Sequence, residues 1–303
     1  MLNKYLFLPF LMLIICAPVN ATTACGDEGL WLQVLGSGGP ELDDGRASSG
    51  YIIWREGKAK LLIDIGSGSM FRFEQSGASL NDLDAIMLSH LHVDHSNDLP
   101  ALIKASFFSD RNHDLYLYGP SGNRLMPSTT NFVQDLFGAD GAYQYLSRYL
   151  DGGESYRLLP FNVDVTDKTQ HLVMANSSYR LTAVPMHHGP LPALAWRVEM
   201  ADKTIVFSGD MNNDNGTLSK LAKQADLLVA HHAVPEDAKG VARNLHMTPS
   251  IIGQIAAEAN VKQLVLSHRM KRTLGQEQVS TEQIRKQYSG PMHFADDLQC
   301  FEF

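Results

Sequence analysis

Short apolar runs, separated by glycine, proline and charged residues, predict a β-rich first half of the chain. The first run ends in a glycine-rich turn, Gly36-Ser37-Gly38-Gly39-Pro40. A helix is predicted over residues 98–108, because Pro100 stands in its first turn and apolar residues recur at helical spacing. The strands predicted in this half are residues 30–35, 51–54, 60–65, 84–89 and 115–118.

The pattern of apolar and polar residues changes twice in the second half of the chain. Residues 121–155 favour irregular helical structure, and residues 156–200 alternate as antiparallel strands do. After that, predicted strands and helices alternate, with Thr248 and Pro249 as the cap and first residue of one helix. The predicted strands are residues 204–207, 227–230 and 264–266, and the predicted helices are 217–224, 248–259 and one that opens at Thr281.

The pattern as a whole favours two sheets packed face to face and flanked by helices, an α+β fold, over a doubly wound parallel sheet. No linker, low-complexity segment or short repeat divides the chain, so residues 22–303 are predicted to form a single domain. An apolar share of 44% is enough for a sizeable core.

The first 21 residues are predicted to be a signal peptide that is removed. Lys4 is followed by an apolar run over residues 5–16, and Val19-Asn20-Ala21 has small residues where the peptidase reads. A lipoprotein signal ending at Cys16 is the weaker alternative. No later apolar stretch approaches 18 residues, so the mature protein is expected to be secreted or periplasmic, without a membrane anchor.

Two cysteines remain after this cleavage, Cys25 and Cys300. In an exported protein such a pair is expected to form a disulfide, here one that joins the two ends of the domain. Two unpaired buried thiols are the alternative.

Acidic residues outnumber basic ones, 33 to 25, which gives a net charge of −8. A broadly basic surface for nucleic acid is therefore not supported, although a local patch stays open.

The highest density of candidate metal ligands lies in Ser89-His90-Leu91-His92-Val93-Asp94-His95, directly after a predicted buried strand. Alternation sends the rings of His90 and His92 to one side of an extended segment, and the next turn brings Asp94 and His95 to a second point nearby. Imidazole and carboxylate are ligands that zinc accepts. This spacing favours two adjacent metal ions over a solvated histidine-rich turn.

Other polar residues follow predicted strands later in the chain: His187 and His188, Asp210, and His268. A single histidine at a strand end is more often structural. Together with the strand that precedes His90 they make four such strand ends, and this number favours one convergent site.

These motifs resemble metallo-β-lactamase-fold hydrolases, on the branch of the ribonuclease Z-like phosphodiesterases and arylsulfatase-like enzymes. The resemblance covers about residues 30–270 and implies a four-layer αββα sandwich with a dinuclear site at one edge. The matching motifs, in order, are His90-x-His92-x-Asp94-His95, Tyr118-Gly119-Pro120, His188, Ser208-Gly209-Asp210, His246-Met247-Thr248-Pro249 and Ser267-His268.

The resemblance also implies a ligand set for two divalent ions, Zn²⁺ in the first place and Mn²⁺ or Fe²⁺ as alternatives. His90, His92 and His188 would hold the first ion. Asp94, His95 and His268 would hold the second, and Asp210 would bridge both. His187 stays open as an alternative to His188.

Four further roles follow from the resemblance. Asp64 would orient a ligand imidazole. Asp94 and His246 would be the catalytic residues, with His246 as a cationic imidazole that stabilises the transition state or protonates the leaving group. His231 stands where the ribonuclease Z-like enzymes have a glutamate that supports this histidine, which leaves the proton relay open.

The predicted function is hydrolysis of a small phosphodiester or sulfate ester by a metal-activated water. Nucleic acid is not an expected partner, because the protein would be exported and is acidic, and only 21 residues separate His188 from Asp210. A homodimer is compatible with the sequence. A lactonase or β-lactamase-type acyl hydrolase, and a metal-binding module without catalysis, are the alternatives.

Overall fold

The computed structural model describes residues 25–303, and the predicted signal peptide lies outside the described residues. The strands are β1 Leu30–Gly36, β2 Gly50–Arg55, β3 Lys58–Ile65, β4 Ala85–Met87, β5 Leu115–Pro120, β6 Leu158–Val163, β7 His171–Ala175, β8 Tyr179–His188, β9 Leu191–Met200, β10 Lys203–Phe207, β11 Leu227–His231, β12 Gln263–Ser267, β13 Met292–Phe294 and β14 Cys300–Glu302. The helices are α1 Ser69–Gln75, α2 Val93–Ser96, α3 Leu99–Ser106, α4 Thr129–Phe137, α5 Arg148–Asp151, α6 Leu218–Leu221, α7 Gly240–Leu245, α8 Pro249–Glu258 and α9 Glu277–Arg285.

The strands form two seven-stranded sheets with the orders β14-β1-β2-β3-β4-β5-β6 and β13-β12-β11-β10-β9-β8-β7. In the first sheet the pairs from β14 to β3 are antiparallel and those from β3 to β6 are parallel. The second sheet repeats this division, with antiparallel pairs from β7 to β10 and parallel pairs from β10 to β13. The two sheets are therefore similar halves of one fold.

The side chains alternate between two apolar layers, as the period of a strand requires. Leu32 and Trp196 lie in the core between the sheets, whereas Leu35 points to the helices outside the first sheet. On the outer side of the second sheet, Ile252 and Ile255 of α8 pack against the strands. Helix, sheet, sheet and helix are thus stacked in four layers, and the predicted αββα sandwich is confirmed.

Several sequence predictions differ from the structure in detail. Strand β6 pairs parallel with β5, so residues 156–200 are not antiparallel throughout. The last helix begins at Glu277, four residues before the predicted Thr281, and Gln276 precedes it without a side-chain capping bond. Helix α6 is only one turn long, and the short elements α1, α7, β13 and β14 were not predicted.

The two ends of the described chain are joined. Cys25 and Cys300 form a disulfide across a sequence separation of 275 residues, which confirms the predicted pair. Cys300 also belongs to β14, whose backbone pairs with β1 through Gln33. Within residues 25–303, no helix combines the length and the apolar character that crossing a membrane requires.

Candidate metal centre

The predicted ligands meet at one edge of the sandwich, between the two sheets. The loop after β4 carries His90 and His92, and α2 starts at once with Asp94 and His95 in its single turn. The second sheet supplies three more residues: His188 ends β8, Asp210 follows β10 and His268 follows β12. All seven predicted ligands are therefore brought together, although they are spread along the chain from His90 to His268.

These side chains form two groups that share Asp210. In the first, the candidate ligand atoms of His90, His92, His188 and Asp210 lie within 4.8 Å of one another. The second group joins Asp210 to His95, His268 and His231 with the same spacing. Asp94 borders it, because its Oδ2 lies 3.2 Å from His268 Nε2 and 3.5 Å from His95 Nε2.

One oxygen of Asp210 lies at the centre of both groups. The distances from Oδ2 to the Nε2 atoms are 3.4 Å for His268, 3.6 Å for His95, 3.8 Å for His188 and 3.9 Å for His90. Three of these nitrogens, those of His90, His95 and His188, are buried without a hydrogen-bond partner among the described residues. Buried polar atoms are rarely left in that state, and a divalent cation bound here would satisfy them.

The opposite nitrogen of each of these rings is occupied. His188 Nδ1 donates to the carbonyl of Leu245 at 2.9 Å, and His95 Nδ1 lies 2.8 Å from Asp64 Oδ2. His90 Nδ1 lies 3.1 Å from the hydroxyl of Ser89. A hydrogen bond at Nδ1 selects the tautomer whose Nε2 lone pair faces the centre, which is how imidazole ligands are usually oriented.

Asp64 is the predicted orienting residue, and the structure places it behind His95. Its two carboxylate oxygens also accept from the backbone N–H and hydroxyl of Ser89, at 2.7 and 2.8 Å. Both Asp64 and His268 have positive φ angles, 53° and 54°, which side-chain-bearing residues seldom adopt. Such backbone strain is tolerated where the surroundings fix it, and it concentrates at functional sites.

The electrostatics of the centre favour a cation. Burial, the largest effect, lowers the pKa of His95, but the carboxylates of Asp94, Asp64 and Asp210 outweigh it and raise that pKa well above its usual value. In contrast, burial and the neighbouring imidazoles hold the pKa of His90 well below its usual value. His90 is thus a neutral imidazole, the ligand form, beside carboxylates that attract positive charge.

Two glycines permit the close packing of this edge. A Cβ on Gly66 would lie 2.0 Å from the carbonyl oxygen of Asp94, so no larger residue fits there. A Cβ on Gly39 would lie 2.8 Å from the ring of His268. The glycine-rich turn after β1, read from the sequence only as a tight turn, therefore packs against a predicted ligand.

His246 lies at the rim of the centre, as the C-terminal cap residue that follows α7. Its Nδ1 is 3.9 Å from Asp210 Oδ1, and its ring centroid is 5.5 Å from that of His188. Burial, the largest cause, lowers the pKa of His246 to about 3 against the opposing charge of Asp210. The predicted cationic imidazole is therefore corrected to a neutral ring, because desolvation exceeds the attraction of one carboxylate.

The structure also decides the ambiguity between neighbouring histidines. His188 faces the centre, whereas His187 lies on the other face of β8, half-buried, with Pro192 as its backbone partner in β9. The resemblance implied that the residue at position 231 supports His246, but His231 does not contact His246. Instead, its Nδ1 lies 2.7 Å from Asp210 Oδ1.

Sequence reasoning missed one cation at this rim. Arg272 follows His268 in a turn, and its Nε donates to the carbonyl of Ala233 at 2.6 Å. Burial lowers the pKa of Arg272, and the carboxylates of Glu41 and Asp210 oppose that effect, so the guanidinium interacts electrostatically with a carboxylate of the centre.

A family model described as a β-lactamase superfamily domain matches residues 60–269. The chain belongs to the β-lactamase superfamily. Within the superfamily it lies on the ribonuclease Z-like branch: it is 30% identical over 249 residues to ribonuclease Z from Mycobacterium sp. (strain KMS), covering 78% of this chain and 83% of the relative. Ribonuclease Z from Haloferax volcanii is 28% identical over 309 residues, covering 88% and 93%.

Solved structures of the superfamily share the fold. The metallo-β-lactamase fold protein YhfI from Bacillus subtilis has a TM-score of 0.69 at 21% identity, covering 90% of this chain and 98% of that one. Short-form human tRNase Z has a TM-score of 0.67 at 20% identity with the same coverage. These two structures show the fold, whereas the family model and the sequence relatives place the chain in a metal-dependent hydrolase family, on its ribonuclease Z-like branch.

Proposed function

We propose that the protein is a dinuclear metal hydrolase that cleaves a phosphodiester bond in a small anionic ester. The observation that carries this proposal is the set of buried, unpartnered Nε2 atoms around Asp210 Oδ2. A solvated histidine-rich turn would not bury such atoms, and a purely structural cluster would pair them.

The ligand assignment follows the two groups, except that Asp94 takes the place of His231, whose two ring nitrogens are both hydrogen-bonded. His90, His92 and His188 would hold one ion, Asp94, His95 and His268 the other, and Asp210 both. The residues present suit Zn²⁺, with Mn²⁺ or Fe²⁺ as alternatives, because imidazole and carboxylate are ligands to all three. When bound, such a pair of ions supplies a water nucleophile at neutral pH and neutralises charge that develops on the ester oxygens.

The residues of the chain itself would orient the ester. His246, at the rim and neutral, can donate a hydrogen bond to an oxygen that gains charge in the transition state. Arg272 is held by the Ala233 carbonyl and can bind a second anionic group of the substrate. Asp94 would serve as a ligand that also fixes the position of the nucleophile.

Small esters are favoured over RNA by the shape of the chain between β8 and β9. These strands are joined directly by Gly189 and Pro190, so this connection contains no inserted segment that could bind a long polyanion. The net charge of −8 also opposes capture of nucleic acid. RNA is nevertheless the second candidate substrate, since the relatives of Mycobacterium and Haloferax carry the name ribonuclease Z.

An exported location is part of the proposal. The disulfide between Cys25 and Cys300 supports it, because such bonds persist in oxidising compartments. The predicted signal sequence over residues 1–21 leads to the same location.

The experiment is a panel of nitrophenyl esters, namely a bis-phosphate, a sulfate and an acetate, beside a short oligoribonucleotide, each assayed after Zn²⁺ or Mn²⁺ is restored to the metal-free protein. Metal-dependent turnover of the bis-phosphate well above the other substrates supports the proposal. Preference for the oligoribonucleotide would move the function to RNA, and preference for the acetate would move it to acyl hydrolysis. Absence of turnover on the whole panel would favour a metal-binding module.

A further inference from the structure

His231 is the last residue of β11 and is buried behind the candidate metal centre. Its Nδ1 lies 2.7 Å from Asp210 Oδ1, and its Nε2 lies 3.1 Å from the hydroxyl of Tyr51. That hydroxyl donates a 2.9 Å hydrogen bond to Ser267 Oγ. Both ring nitrogens are therefore engaged, so His231 faces the centre as a hydrogen-bond donor and not as a free metal ligand.

The two oxygens of Asp210 consequently have different surroundings. An ionised carboxylate only accepts, so the bond to Oδ1 places the proton on Nδ1 of His231. Oδ2 lies instead among the Nε2 atoms of four histidines, His268 being closest at 3.4 Å. A carboxylate side chain at position 231 could not donate in this way and would repel Asp210 at this distance.

The backbone holds His231 in register for this contact. Its N–H donates to the hydroxyl of Ser208 at 3.0 Å, two residues before Asp210. On the other side, its strand partner in β12 is Ser267, which directly precedes His268. The imidazole thus spans the two strand ends that carry the shared carboxylate and a predicted ligand.

We propose that His231, held by Tyr51, is a positioning residue that hydrogen-bonds Oδ1 of Asp210 and so leaves Oδ2 as the oxygen that would be available to both ions. This inference rests on the proposed function, because it assumes that ions bind at the centre. It assigns His231 no contact with substrate.

The test is a titration of the metal-free protein with Co²⁺ in competition with a chelator, together with the visible spectrum of the bound ion. His231→Leu removes the donor, and a loss of affinity of about 10–100-fold with an altered spectrum is expected. His231→Asn places an amide N–H where Nδ1 stands, so it should recover most of the affinity. Tyr51→Phe should give a smaller loss.

His232 provides the matched control. It is the next residue, equally buried, but its Nε2 lies 2.9 Å from Ser280 of α9, on the other side of the strand. His232→Leu should therefore leave Co²⁺ affinity and the spectrum unchanged.

Three outcomes overturn the inference: wild-type affinity in His231→Leu, an equal loss in His232→Leu, or no recovery in His231→Asn. If His231→Leu does not fold, Tyr51→Phe decides, since unchanged affinity and spectrum in that variant would contradict the role. Failure of wild-type protein to bind Co²⁺ would instead refute the proposed function, which keeps the two failures apart.

Discussion

His95 and Asp64 form a buried hydrogen bond of 2.8 Å between imidazole Nδ1 and carboxylate Oδ2, and this bond turns Nε2 of His95 towards Asp210. Removing the carboxylate frees the ring to rotate. Asp64→Ala is therefore expected to weaken Zn²⁺ binding about 10–100-fold, as measured by competition with a chelator. Asp114→Ala, which removes an exposed ion pair with Arg157, is the control and should bind as wild type does. Equal affinities in both variants would show that Asp64 does not orient a ligand.

The neighbouring histidines of β8 allow a matched comparison. His188 Nε2 lies 3.8 Å from Asp210 Oδ2, whereas His187 is on the opposite face of the strand. Elemental analysis of zinc-replete wild-type protein should give close to two ions per chain. His188→Ala should lower this content and nearly abolish turnover, and His187→Ala should change neither quantity by much. The reverse order would exchange the two assignments.

His246 is proposed to contact the substrate in the transition state and to bind neither metal ion. His246→Ala should therefore keep its metal content while kcat falls about 10²–10⁴-fold. Comparing a nitrophenolate with an alkoxide leaving group identifies the role. A similar penalty for both indicates a hydrogen bond to a non-bridging oxygen, and a larger penalty for the alkoxide indicates protonation of the leaving group. Lost metal, or an unchanged kcat on both substrates, would make His246 structural.

Arg272 is predicted to bind an anionic part of the substrate away from the reacting bond. Because such binding is the same in ground and transition states, Arg272→Ala should raise KM for the bis-phosphate about tenfold or more and leave kcat nearly unchanged. The KM of the uncharged nitrophenyl acetate should not respond. Arg157→Ala, which removes an exposed cation paired with Asp114, serves as control. A fall in kcat without a change in KM would argue against anion binding.

The disulfide should contribute to stability more than to chemistry. Cys25 and Cys300 close a loop of nearly the whole described chain, and removing such a bond costs about 2–5 kcal/mol. Cys300→Ser should lower the free energy of unfolding in urea by that amount while metal content stays at the wild-type value. Free thiol at either cysteine in protein purified from the exported fraction would contradict the pairing in the cell.

The local parts of the fold and site could be predicted from the sequence. The four residues of His90-x-His92-x-Asp94-His95 lie within six consecutive positions after a buried strand, so spacing alone brings them together. The phase of β8 could not be derived in the same way, because both of its faces are buried and either His187 or His188 could face inwards. The alternation of apolar and polar residues also does not indicate strand direction. For this reason the prediction of antiparallel strands is wrong for β6, which pairs parallel with β5.

The supporting residues depend on contacts that no local pattern marks. Tyr51 reaches His231 across 180 positions, from one sheet to the other. Arg272 lies in a turn whose sequence resembles any charged loop, and its electrostatic coupling to His246 and Asp210 becomes visible only in the folded chain. The neutral state of His246 is likewise a result of burial, which a sequence does not state.

The two sheets each contribute ligands to the same centre: the loop after β4 in one, and the ends of β8, β10 and β12 in the other. Ions held there bind only a chain in which both halves have docked, so occupancy and folding are thermodynamically linked. Free metal at a hundred times its dissociation constant adds about 2.7 kcal/mol to the stability of the docked state. The melting temperature then becomes a readout of the ambient metal concentration, and a chelator acts on this protein as a mild denaturant.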